Sequence, residues 1–221
     1  MLLICLFFGV LLIQHIGSLA FCNRLSKNLC TVFIDFENDA RYNETMKTKT
    51  REKIAEPARI FHLPKYEDIP DVGLYLEQTV KYINSYFDSF DGMNLTASMV
   101  SNYVKKGLVA NAVKKQYYRE QIAYLFFIAV AKNVLSMENL SLFISIQKES
   151  YSVKKAYDYF CDELENVMEY VFGIKETLDE IGNDDTEEKT MLRSTIITAA
   201  YKIYLDCCFN VIREDYESVE E

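Results

Sequence analysis

Leu95-Thr96-Ala97-Ser98-Met99-Val100-Ser101-Asn102-Tyr103-Val104-Lys105-Lys106-Gly107 reads as one short helix that carries both of its own stop signals. Thr96 stands at the cap position, where a hydroxyl can accept a first-turn amide, and Gly107 supplies the left-handed residue that ends the helix. On the C-terminal side, Leu108 to Tyr118 combines β-branched and aromatic residues around Asn111 and Lys114-Lys115, the pattern of a small two-stranded hairpin. On the N-terminal side, Asp71 can cap a helix running from Gly73 to Phe90 with apolar positions Leu76, Val80, Ile83, Phe87 and Phe90. Four more helices are expected beyond the hairpin: Arg119 to Leu135, Met137 to Gln147 capped by Ser136, Val153 to Phe172 capped by Ser152, and one opened by Thr186 that runs to about Arg213.

Composition agrees with a mainly α fold. The chain has 221 residues, 50% of them hydrophobic, with only 7 Gly and 3 Pro, too few for the turns of a sheet-rich protein. The prolines are Pro57, Pro64 and Pro70, so residues 71–221 are proline-free. The 6 cysteines show no C-x-x-C pair, and with only 2 histidines a metal site or a histidine base would rest on one lone side chain. Phosphate-loop, nucleotide-binding, nucleophile-elbow and zinc-protease motifs are absent from the sequence. No enzyme and no cofactor is expected.

Charge is polarised along the chain. The net charge is −9, yet residues 92–119 carry Lys105, Lys106, Lys114, Lys115 and Arg119 with no acid, a local +5. Residues 151–221 carry −11. A basic segment inside an acidic protein is the electrostatic footprint of a nucleic-acid contact, because field and counterion effects act locally.

The order capped helix, Gly-Leu, basic hairpin, amphipathic helix is that of a winged helix-turn-helix. On such a module Ser98, Ser101, Asn102 and Lys105 can read base edges, Asn being suited to adenine and Lys to guanine. Thr96 and the first-turn amides can hold a phosphate, and Lys106, Lys114 and Lys115 with the hydroxyls of Tyr103 and Tyr117 can contact the DNA backbone. The apolar stripes of the acidic C-terminal helices, including Tyr157, Phe160, Val167, Ile196, Ala200 and Ile203, pack a core by default and offer a dimerisation or sensing region besides.

Thr96 to Leu140 resembles the DNA-binding domains of MerR-type regulators, with Asn102-Tyr103-Val104-Lys105-Lys106-Gly107-Leu108-Val109 at the end of the recognition helix and Ala110 to Tyr117 as the wing. A wider resemblance, from His62 to Ile146, is to the bacterial family called domain of unknown function 1836. It rests on Leu63-Pro64-Lys65-Tyr66, Ile69-Pro70, Leu74-Tyr75, Leu95-Thr96, Met99 to Lys106 and Val113-Lys114-Lys115. Two departures stand out: Ala110-Asn111-Ala112 replaces a proline-rich step, and Ser101 occupies a position where MerR-type proteins tend to have arginine. The resemblance implies a bacterial helix-turn-helix regulator of transcription.

The expected organisation is therefore a signal-like or spurious extension over 1–45, a linker over 46–70, a winged helix-turn-helix domain over 71–150 and an acidic helical dimerisation or sensing region over 151–221. Met1 to Phe21 has no charged residue and the length of a signal-peptide apolar core but lacks a basic start, while Met46-Lys47-Thr48-Lys49 resembles a cytosolic beginning. The leading expectation is a cytoplasmic, sequence-specific DNA-binding regulator. It would be a homodimeric repressor with double-stranded DNA as partner and an unidentified effector. The competing expectation uses residues 1–21 as a membrane anchor or export signal for a helical interaction protein, with Asn43, Asn94 and Asn139 in glycosylation triplets.

Overall fold

The leading residues of each helix explain where it begins. In this computed structural model, which describes residues 48–182 and 186–220, seven α-helices account for most of the described residues. They are α1 (Thr48–Arg59), α2 (Leu76–Asn84), α3 (Ala97–Lys105), α4 (Arg119–Ala131), α5 (Met137–Ser150), α6 (Val153–Val171) and α7 (Glu187–Glu220), with two short strands, β1 (Leu74–Tyr75) and β2 (Gln116–Tyr117). Thr96, Ser136, Ser152 and Thr186 each accept the amide three residues on, so the four hydroxyl caps stand where the sequence puts them.

α2 and α4 start differently. Tyr75 and Tyr118 occupy their cap positions, and the carboxamides of Gln78 and Gln121 reach back to accept those residues' amides at 2.9 and 2.8 Å. Asp71, expected as the cap of α2, lies ahead of β1 and does not serve. The helix expected over Gly73 to Phe90 ends at Asn84, and hydrogen-bonded turns carry the chain on to Phe90 while burying Phe87 and Phe90.

β1 pairs antiparallel with β2, Leu74 opposite Tyr117 and Tyr75 opposite Gln116. The hairpin expected over Leu108 to Tyr118 is thus smaller than anticipated, a two-residue turn closed by Val113 and Gln116 whose outgoing strand takes its partner from upstream. Gly73 permits the approach: a Cβ there would lie 2.8 Å from that of Gln116.

α4 is buried from Gln121 to Ala131, the central helix of the core. Its Phe126 meets Tyr82 and Tyr86 of the α2 region edge-on at 5.9 and 5.5 Å and Tyr157 of α6 at 6.0 Å, and Phe127 meets Phe160 of α6 at 5.6 Å. α7 packs along α6 and reaches α4 and α5. The helices on either side of residue 150 share one core.

Residues 46–70 are not a linker where they are described. α1 buries Ile54, Ala55 and Ala58, and the stretch that follows is strapped onto α6: the amide of Leu63 donates to Glu165 at 3.0 Å, that of Tyr66 to Asp158 at 2.8 Å, and Lys65 pairs with Asp162. The expectations for residues 1–45, including the apolar Met1 to Phe21, lie outside the described residues.

α7 is long and apolar enough over Glu187–Glu214 to cross a membrane by length and composition, its apolar 18-residue window having a mean hydropathy of 1.2 with 33% of that window buried in the body.

Candidate nucleic-acid interface

α3 is held by backbone contacts that its own sequence does not announce. Asn84, the last residue of α2, clamps Leu95 with both ends of its carboxamide, Oδ1 accepting the Leu95 amide at 2.8 Å and Nδ2 donating to its carbonyl at 2.9 Å. One side chain so fixes the end of α2 against the start of α3. The other end is closed by Gly107, at φ +80°, where the Leu108 amide donates to the Tyr103 carbonyl at 3.0 Å.

Val100 and Tyr103 form the inward face of α3, and Ser98, Ser101, Asn102, Lys105 and Lys106 are exposed. The Thr96 hydroxyl is spent on capping Met99 at 3.2 Å, and the Ser101 hydroxyl donates to the Ala97 carbonyl at 2.8 Å. Asn102 thus offers the surface a whole carboxamide.

Lys114 and Lys115 form the tip of the hairpin, both exposed and both left-handed, at φ +51° and +68°. Mutual hydrogen bonds between Val113 and Gln116, at 2.9 and 3.0 Å, close this turn, whose two positive φ values define the type I′ geometry normally given to Asn-Gly. The loop before it is tied down by the buried Gln121, whose Nε2 donates to the carbonyls of Ala110 and Asn111 at 3.0 and 2.8 Å.

Three expected contributors are placed elsewhere. Tyr103 and Tyr117 are only 4% and 6% exposed, and burial pushes both phenols upward in pKa, so they serve the core and not a phosphate contact. Arg119 turns inward to Glu67 and the carbonyl of Ile69. An acid also approaches the cluster from α5: Glu138 is held below the usual carboxylate range by its own backbone amide and the Ser136 hydroxyl, with a contribution from Lys106. Of the five cations expected here, Lys105, Lys106, Lys114 and Lys115 remain exposed, and Glu138 acts on Lys106.

Elsewhere, an apolar groove of about 530 Å³ lies between α5, α6 and the start of α7, lined by Phe143, Ile146, Ala156 and Leu192 among others. Among the described residues no group of three or more His, Cys, Asp or Glu is arranged to hold a metal ion. The Cys161 thiol is buried and pushed up to about 12, which keeps it protonated.

These features define one short, clamped helix followed along the chain by a lysine-tipped hairpin. Residues 64–160 match the model of the family described as Domain of unknown function (DUF1836). The matched segment begins two residues after the expected His62 but runs past Ile146 to end within α6, so it includes both Tyr66 and its partner Asp158. No curated protein and no solved structure matches the chain.

Proposed function

We propose that residues 71–150 are a winged helix-turn-helix head, similar to that of MerR-type regulators, and that the protein is a cytoplasmic bacterial regulator of transcription that binds double-stranded DNA. α3 is the reading helix and the Lys114-Lys115 hairpin is the wing. In this reading the protein is a repressor that occupies promoter DNA as a dimer, not an enzyme.

The observation that carries the reading is the hairpin tip. Two exposed lysines hold left-handed backbone in a turn where glycine or asparagine would cost less. Strain of this kind persists where surrounding structure enforces it and a function uses it. Gln121 and the β1–β2 pairing supply the enforcement. On α3 the exposed Asn102 and Lys105 have the donors and acceptors that base edges require.

The test is a titration of the full chain against DNA fragments from the neighbourhood of its own gene, read by fluorescence anisotropy at several salt concentrations. Specific binding should weaken with salt. Lys114→Ala with Lys115→Ala should make the slope of log K against log salt shallower by roughly 2, at about 0.9 per phosphate contact. Asn102→Ala should lower affinity for the preferred fragment while leaving non-specific binding in place. Absence of binding at low salt, or a salt slope unmoved by the double substitution, would reject the reading.

A further inference from the structure

α7 has two faces, and only one of them is used by the body. Leu192, Ile196, Ala199, Ala200, Ile203 and Val211 are buried. On the opposite side a solvated helix would carry charge, yet Tyr201, Leu205, Phe209 and Ile212 stand there, 48%, 52%, 60% and 40% exposed. Their spacing of four, four and three residues keeps them in one stripe along the helix. Four large apolar side chains in a row form a contiguous patch, unlike the scattered single residues that most surfaces show.

The stripe is symmetric about Leu205: Tyr201 lies four residues before it and Phe209 four residues after. A two-fold axis through Leu205 would set two copies of α7 antiparallel, Leu205 against Leu205 and Tyr201 of each against Phe209 of the other. That is the self-complementarity an isologous contact demands. The pairing of aromatic rings across such an axis adds to area burial.

Charge selects the direction. Residues 189–204 contain Lys189, Arg193 and Lys202 and no acid, a net +3, while residues 206–221 carry a net −5. Antiparallel pairing about Leu205 lays the first segment of one copy on the second segment of the other. Parallel pairing would lay −5 on −5. Within one chain these cations already have local partners, Arg193 near Glu163 at 3.2 Å and Lys202 with Asp206 at 2.5 Å, so the complementarity is between fields of whole segments and not a roster of new ion pairs.

We infer that the outer face of α7 is the docking surface for a second copy of this chain, joined antiparallel about Leu205. The inference stands on α7 alone, and it gives the DNA reading the dimer it requires. In this arrangement the acidic C-terminal half of each α7 is partly offset by the basic half of its partner.

Sedimentation equilibrium of the full chain, without DNA, tests it. The wild type should have twice the mass of one chain at micromolar concentration. Leu205→Glu, which puts like charges on the axis, should give a monomer with unchanged helical circular dichroism, because the side chain is exposed. In a background with Cys5, Cys22, Cys30, Cys207 and Cys208 replaced by serine and only the buried Cys161 retained, chains bearing Tyr201→Cys and chains bearing Phe209→Cys should form a disulfide when mixed and oxidised, and neither should do so alone. A monomeric wild type, or a dimer indifferent to Leu205→Glu, overturns the inference. Cross-linking of Tyr201→Cys with itself overturns the antiparallel arrangement. Flotation of the monomer with phosphatidylcholine vesicles, abolished by Leu205→Glu, would assign the face to lipid and overturn it as well. DNA binding is measured separately, so either idea can fail alone.

Discussion

Arg119 Nη1 meets Glu67 Oε2 at 2.8 Å, joining the first residue of α4 to a segment 52 residues upstream. The same guanidinium donates through Nε to the carbonyl of the fully buried Ile69 at 3.0 Å and through Nη2 to the Glu67 carbonyl at 3.2 Å, and it lies 5.7 Å from the Tyr66 ring centre. The side chain thus satisfies backbone that the wrapped segment would otherwise leave open.

Arg119→Ala should therefore destabilise the fold. Losing a charged donor to a buried carbonyl costs about 2 kcal/mol, which for a chain of this size corresponds to a fall in Tm of about 4–8 °C. Glu67→Gln should change Tm little, because the carboxylate is solvated and the backbone contacts of Arg119 survive. Thermal unfolding followed by circular dichroism checks both. Equal losses from the two substitutions would mean that the ion pair, and not the carbonyl contacts, is what matters.

Glu163 predicts a pH dependence. Its side chain is fully buried, with Arg193 Nε 3.2 Å from Oε1 and the Tyr159 hydroxyl 3.4 Å from Oε2, and burial outweighs these neighbours to raise its pKa above the ordinary carboxylate range. The folded state then keeps this proton after the unfolded chain has released it. Stability must fall as pH rises through that window, and level off once the folded carboxyl has ionised. Glu163→Gln removes the titration. The stability difference between wild type and variant, from urea unfolding at a series of pH values, should shift against the wild type as pH rises from the ordinary carboxylate range through the raised pKa of the folded state. A difference constant with pH would show that Arg193 fully offsets the burial.

Local signals were legible in the sequence and long-range ones were not. Thr96, Ser136, Ser152 and Thr186 could be read as caps because a hydroxyl and an amide three residues on are a complete unit. α1 escaped notice: Pro57 lies within it, and it buries Ile54, Ala55 and Ala58 in a polar stretch. Asn84 and Gln121 position the candidate interface through backbone carbonyls and amides ten or eleven residues away, which no residue pattern encodes. Tyr103 and Tyr117 suit a surface or a core equally by type, and their burial decides for the core. Arg119 counts as a surface cation until Glu67 and Ile69 are brought to it by the fold.

Lys114 and Lys115 allow stability and binding to be separated. A non-glycine residue in the left-handed region costs about 1 kcal/mol or more, whereas glycine adopts it freely at an entropic cost of about 0.5–1 kcal/mol in the unfolded chain. Lys115→Gly, at φ +68°, should leave Tm unchanged or raise it by about 1–3 °C, while Lys115→Ala keeps a Cβ and gains nothing. If the turn is strained in the service of DNA, both variants should lose affinity together, with the salt slope shallower by about 0.9 for the one contact removed. The pair of variants therefore moves along one axis in anisotropy titrations and along two in thermal unfolding. A glycine variant that is destabilised would show that the lysine stems pack on the hairpin and that the left-handed turn is a structural choice. A stabilised variant with full affinity would remove Lys115 from the interface and leave the contact to Lys105, Lys106 and Lys114.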